Sequence, residues 1–223
     1  MDTLKKGNEM KKVILLSLTI FGMLAFSAQK AQAELITIAI TATVDAMHDD
    51  GNYLEGKVHV GDSITGTYTY ESTTPDTNPA TDVGDYWHYS SPAGISLAVG
   101  GFNFKTDPAN VKFLVEIVNN NGGIDAFLVR SDNNLFLSNG TYVDCISWDL
   151  QDRTLTALSS DSLPTTAPVL SQWQTNFLTF GGGAGKSNSF AIAAHVTSAI
   201  PEPATISLLL LGGFLLRKRT NKL

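Results

Sequence analysis

Alternation of apolar and polar residues with a period of two dominates the middle of the chain. Ile36, Ile38, Ile40, Ala42 and Val44 fall on one face of an extended segment, and Thr37, Ala39, Thr41 and Thr43 fall on the other. Val58 and Val60 alternate, and so do Ile64, Tyr68 and Tyr70 against Thr65, Thr67, Thr69 and Glu71. Phe113, Val115 and Ile117 oppose Lys112, Leu114, Glu116 and Val118, which predicts a strand covered on both faces. Ile146, Trp148 and Leu150, then Phe190, Ile192, Ala194 and Val196, complete the pattern, and no window of helical length carries a 3.6-residue period.

Turn chemistry separates these runs at Asp49-Asp50-Gly51-Asn52, Gly61-Asp62, Gly100-Gly101, Asn119 to Gly123, Asp132-Asn133-Asn134 and Asn139-Gly140. Such clusters supply the positive φ that tight hairpins require. Roughly ten to twelve short strands with hairpin spacing predict an all-β fold, a single antiparallel β-sandwich or jelly roll over residues 34–200. Two longer stretches, Ser72 to Val83 and Ser159 to Ser171, are rich in Pro, Thr, Ser and Asp and are the loops where binding is expected.

The ends read differently. Lys11-Lys12 precedes an apolar run from Val13 to Phe26, and Ala31-Gln32-Ala33 follows it. A basic segment, a short apolar helix and an A-x-A site make residues 1–33 a secretory signal peptide, cleaved after Ala33. The run rises only about 21 Å as a helix, short of the roughly 30 Å hydrocarbon core of a bilayer. Met10 stands beside Met1 as an alternative start. At the other end, Pro201-Glu202-Pro203 precedes a Leu-rich segment, Ala204 to Leu216, and the basic cluster Arg217-Lys218-Arg219. Prolines around a glutamate keep a short segment extended and accessible, and the apolar stretch is marginal as a span.

Those three parts, in that order, resemble the PEP-CTERM sorting signal of exported Gram-negative proteins, a tail also catalogued as an ice-binding-protein C-terminal domain. The resemblance implies processing of residues 201–223 by an exosortase, a membrane transpeptidase-like enzyme, after signal peptidase has acted. It further implies a passage through the inner membrane, transient anchoring there, and delivery to the cell surface or extracellular matrix. The central domain also resembles other PEP-CTERM proteins through Gly61-Asp62-Ser63, Gly66 to Ser72, Val83-Gly84-Asp85-Tyr86 and Ser160 to Thr165. No catalytic motif comes with that likeness.

Charge sharpens the division. The whole chain carries −6, but residues 34–200 hold 18 acidic and 6 basic side chains, a net −12. An acidic domain between basic ends disfavours nucleic acid and anionic membranes as partners. The lone cysteine, Cys145, forbids an internal disulfide and reads as a small core-facing or edge residue of a strand, with an intermolecular link as the alternative.

Candidate chemistry is sparse. Gly181-Gly182-Gly183-Ala184-Gly185-Lys186-Ser187 has Phe180 where a phosphate loop needs glycine, so it reads as a flexible inter-strand loop and nucleotide binding is not expected. The four histidines show no zinc-ligand spacing. Calcium is the cofactor with any support, through Asp45, Asp49, Asp50 and Asn52 in one turn and Asp76, Asp82 and Asp85 in another, though no EF-hand loop is present. No Gly-x-Ser-x-Gly elbow or defined carboxylate pair marks a catalytic centre. Tyr68, Tyr70, Tyr86, Trp87 and Tyr89 offer rings for sugars, with Tyr86-Trp87-His88-Tyr89 the densest piece and Tyr86, Trp87 and Tyr89 its candidate platform. The Thr-rich stretches Ile36 to Val44 and Ser63 to Thr74 lack the regular Thr-x-Thr array of an ice-binding face. The expected protein is therefore a non-catalytic surface or matrix domain associated with exopolysaccharide. An exported carbohydrate-active enzyme or a dedicated glycan-binding module is the alternative.

Overall fold

The computed structural model describes residues 34–185 and 188–202. They form ten strands: β1 (Leu35–Asp49), β2 (Ser63–Glu71), β3 (Val83–His88), β4 (Gly94–Val99), β5 (Phe102–Lys105), β6 (Phe113–Asn121), β7 (Ile124–Ser131), β8 (Val143–Asp152), β9 (Thr175–Gly185) and β10 (Asn188–Pro201). The only helical element among the described residues is a 3-10 turn at Leu170–Gln172. Every pairing is antiparallel, in a single sheet of order β3-β6-β7-β8-β9-β10-β1-β2-β4-β5. The all-β antiparallel fold agrees with the periodicity, and its sandwich-like core comes from one sheet curled into a half-barrel. The proposed signal peptide with Ala31 and Ala33, and the tail with Pro203, Arg217, Lys218 and Arg219, lie outside the described residues.

The longest pairing joins the first strand to the last. β1 runs against β10 from Ile38 opposite Pro201 to Asp49 opposite Phe190, with register shifts at Thr41/Ala42 and Val44/Ala46. Such bulges bend a long strand and raise its twist, which the curling requires. The inner face then meets itself: the ring of Phe104 lies 4.6 Å from that of Phe180, and Tyr68 lies 5.8 Å from Trp148 and 6.4 Å from Phe127. Both sheet edges are clasped to the opposite side. On β3, His88 is buried, places Nδ1 3.0 Å from the Tyr86 carbonyl oxygen and accepts the Glu71 backbone N–H of β2 at Nε2, 3.2 Å away. Beyond β5, Thr106 bridges to Asn134 and shares a 2.8 Å hydrogen bond with Ser131 of β7.

The segment between β8 and β9 covers the remaining opening. Pro164 and Asp161 accept hydrogen bonds through their carbonyl oxygens from the Tyr70 and Tyr86 hydroxyls at 2.8 and 2.9 Å, and Leu158, Leu163 and Ala167 pack on the core. The loop expected to bind is thus a lid on the hydrophobic interior. Buried Asp152 anchors its start, accepting hydrogen bonds from the Thr154 hydroxyl and from the backbone N–H groups of Thr154, Thr156 and Ala157. Asp125 holds the same loop through Leu158 N–H at 3.0 Å.

Two local expectations differ from the structure. Val58 and Val60 lie in an irregular connection, where Val58 is buried against the core and Val60 is exposed, so the two do not share a strand face as the alternation predicts. The glycine run belongs to β9 instead of an inter-strand loop. A β-carbon on Gly182 would fall 1.9 Å from the Tyr142 carbonyl oxygen, so glycine is what lets β8 bulge against β9 at Val143/Cys145.

Two measurements check this account. The fully buried Tyr68 hydroxyl has no hydrogen-bond partner among the described residues, so Tyr68→Phe should raise stability by about 1 kcal/mol in urea denaturation. The hydrogen bonds that Asp152 accepts from Thr154, Thr156 and Ala157 hold its carboxyl down to about 2, below the roughly 3.9 of an unfolded chain. Its contribution is therefore fully present above the unfolded value and lost as pH falls through about 2. Asp152→Asn should melt at lower temperature than the wild type at neutral pH, and the difference should close as pH approaches 2.

Candidate functional site

Strand β3 is short, lies at a sheet edge and alternates cleanly, so its residues sort by side. Tyr86 and His88 point inward and are buried; Asp85 and Trp87 point outward; Tyr89, just past the strand, is 68% exposed. Tyr86 therefore leaves the expected platform, because the pleat places alternate residues on opposite faces. Trp87 and Tyr89 remain together, their rings 6.1 Å apart between centroids and tilted by only 11°. The Lys112 ammonium stands 5.5 Å from the Trp87 ring centre.

Carboxylates flank this pair. Asp85 is directly opposite Glu116 on β6, Glu116 is opposite Leu128 on β7, and Leu128 is opposite Asp149 on β8. Burial, and then the neighbouring Asp85 carboxylate, push the Glu116 carboxyl up, while Arg130 pulls weakly the other way. Burial likewise raises Asp149, offset in part by the Gln151 amide 2.7 Å away. Asp85 Oδ2 accepts a 3.1 Å hydrogen bond from Asn78, whereas its Oδ1 is closed to solvent and unpartnered among the described residues.

A second feature lies further across the same outward face. An open groove of about 870 Å³ crosses β8, β9, β10 and β1, with Gly181, Ala191, Ala193 and Ala46 among its lining and Phe177 and Tyr142 beside them. Phe177 and Tyr142 are 49% and 43% exposed, large aromatic groups beside the small residues of the groove. An adjoining hollow of about 520 Å³ shares Tyr142 and Gly183 and reaches Asn52, Glu55, Phe136 and Asn139. Sequence reasoning missed this groove; its signal was Phe177 between Thr175 and Thr179 at a solvent-facing position, followed by the small residues of the glycine run.

The remaining candidates disperse. Asp45 pairs with His195 at 2.7 Å, Asp49 caps Tyr53 and Leu54 N–H at 2.7 and 2.8 Å, and Asp50 lies 3.9 Å from His48. The three aspartates proposed for calcium thus have separate partners, and no group of three or more His, Cys, Asp or Glu is placed to hold a metal among the described residues. Cys145 is half-buried on the interior strand β8 and lines the groove on the outward face. Its expected place was toward the core or at an edge; the bulge beside Gly181 and the outward pleat account for the difference. The threonine runs of β1 and β2 do align, with Thr37 opposite Thr69 and Thr41 opposite Thr65, but the Thr37 and Thr69 hydroxyls bond each other at 3.1 Å. Of the sorting motif, Pro201 is the last residue of β10 and the exposed Glu202 donates its N–H to the Thr37 carbonyl at 2.9 Å. No helix among the described residues is long and apolar enough to cross a membrane.

The raised Glu116 gives a signed test. An acid with a raised folded pKa costs nothing below its unfolded value and its full penalty above the folded one. Glu116→Gln should therefore stabilise the protein by up to about 1 kcal/mol at pH values above that range and leave it unchanged in acid, the half-exposed site limiting the size. Thermal melts across pH check the sign.

No protein-family model, curated protein or solved structure matches this chain, so what this face does has to follow from its own residues.

Proposed function

We propose that this is an exported cell-surface or matrix protein whose β domain binds extracellular polysaccharide without cleaving it. The observation that carries the reading is the outward pair Trp87 and Tyr89, nearly parallel rings at the end of an edge strand with one of them 68% exposed. Sugar rings present apolar C–H faces that stack on aromatics, while neighbouring carboxylates and amides accept and donate hydrogen bonds to hydroxyls. Export through residues 1–33 and release or anchoring through Pro201-Glu202-Pro203 and Arg217-Lys218-Arg219 would bring the domain to that polymer.

A non-catalytic role is supported by how the acids sit. Glycosidases hold two carboxyls at least about 5 Å apart to admit the scissile bond and a water. Asp85 and Glu116 are instead immediate cross-strand neighbours on a sheet face, where directly opposed side chains leave little room for a sugar between them. The carbohydrate-active enzyme remains the second reading, since Glu116 is raised beside an aromatic pair.

Affinity electrophoresis through gels cast with a panel of soluble polysaccharides tests the proposal. At least one polymer should retard the wild type, and Trp87→Ala and Tyr89→Ala should each weaken that retardation by roughly three- to tenfold. Retardation by none, or retention unaffected by both substitutions, would sink it, and release of reducing ends from the bound polymer would favour the enzyme. The intact mass of the exported protein checks both processing steps: residues 1–33 and Arg217 to Leu223 should be missing from it.

A further inference from the structure

Trp87 and the groove are joined by the sheet itself. Following the register across the strands, Trp87 of β3 is opposite Leu114, Leu114 is opposite Arg130, Arg130 opposite Ser147, Ser147 opposite Thr179, and Thr179 opposite Ala193. Ala193 is in turn opposite Ala46 of β1. One row therefore runs perpendicular to the strands from the aromatic edge onto the groove floor, roughly 29 Å at the usual strand spacing. Phe177 stands in the neighbouring row on one side, opposite Asp149, and Tyr142 stands toward the other end of β9 beside Gly183.

Charge is distributed unevenly along this track. Among the described residues, the cations on this part of the face are Arg130 and Lys112, which share the single carboxylate of Asp132, at 2.6 and 2.9 Å. Asp85, Glu116 and Asp149 line the adjacent row, and Asp144 lines the groove; none of the four has a Lys or Arg partner among the described residues. Among the described residues, no Lys or Arg lines the groove. A partner there gains by being cationic and by having flat apolar faces that pass over alanine, glycine and indole.

We infer that the ligand is a basic polysaccharide, a polymer of 2-amino sugars with free amines, laid across the strands from Trp87 into the groove floored by Ala193 and Ala46. Ring faces rest on Trp87, Tyr89 and Phe177, and ammonium groups meet Glu116, Asp149 and Asp144. This inference rests on the polysaccharide-binding reading above and adds to it the direction of the chain and the charge of its sugars.

Isothermal titration of the purified protein in low salt near neutral pH, with glucosamine oligomers, their N-acetylated counterparts, a neutral glucan and a polyuronate, separates the two. Glucosamine oligomers should bind about tenfold more tightly than the acetylated ones, and added salt should reduce that preference. The near-isosteric Glu116→Gln with Asp149→Asn should abolish the preference while retaining weak binding to both. Ala193→Trp, or Thr179→Arg if the first fails to fold, should weaken long oligomers and spare the shortest. Equal affinity for free and acetylated amines, or a preference for polyuronate, overturns the inference and leaves polysaccharide binding standing. Heat from none of the four carbohydrates overturns both.

Discussion

β1 and β10 lie side by side in the middle of the sheet, yet they come from opposite ends of the domain. Neither half of the half-barrel has its inner face complete until these two have paired, because β2, β4 and β5 hang on β1 while β9, β8, β7, β6 and β3 hang on β10. Loop closure over nearly the whole domain has to precede that contact, so folding is expected to be slow and cooperative. The bulges in β1 set the curvature, and through it the contacts of Phe104 with Phe180 and of Tyr68 with Trp148. The lid between β8 and β9 and the clasps at His88 and Thr106 have their partners only because the seam has brought the two halves face to face.

The two sides of this sheet obey different constraints. Inward, the alternation is strict and nearly every position is apolar and buried. Outward, the pleat leaves a surface free to carry something besides solubility, and Trp87, Tyr89, Phe177 and Tyr142 occupy it at the expense of exposing apolar rings. Burial raises the carboxyls of Glu116 and Asp149 on that face, and the Asp85 carboxylate adds to the effect at Glu116. Such an arrangement is unfavourable for the domain alone and becomes favourable when a cation or a hydrogen-bond donor arrives.

Much of the architecture was legible in period-two alternation, since Ile36 to Val44, Phe113 to Ile117 and Phe190 to Val196 each form the buried face of a strand. The turn residues were legible too: Asn52, Gly61, Gly100, Asn120 and Gly140 adopt positive φ at the predicted turns. Pairing was not, because alternation specifies a face and says nothing about which strand lies next to it. For the same reason Tyr86 looked equivalent to Trp87 in a run of four aromatic residues, although the pleat sends one to the core and the other to solvent. The acids Glu116 and Asp149 and the wall residue Phe177 come from three strands, and their proximity exists only in the register.

The position of β10 also has a mechanical meaning. The strand pairs with β9 over Asn188 to Ala194 and with β1 from Phe190 to Pro201, where it leaves the sheet. A pull applied beyond Glu202 acts along the strand axis, so it strains the two flanking ladders in shear and distributes the load over many hydrogen bonds at once. An edge strand such as β5 or β3 would peel one bond at a time under the same tension. The chain thus leaves the sheet from an interior strand, which resists being drawn out better than an edge strand would.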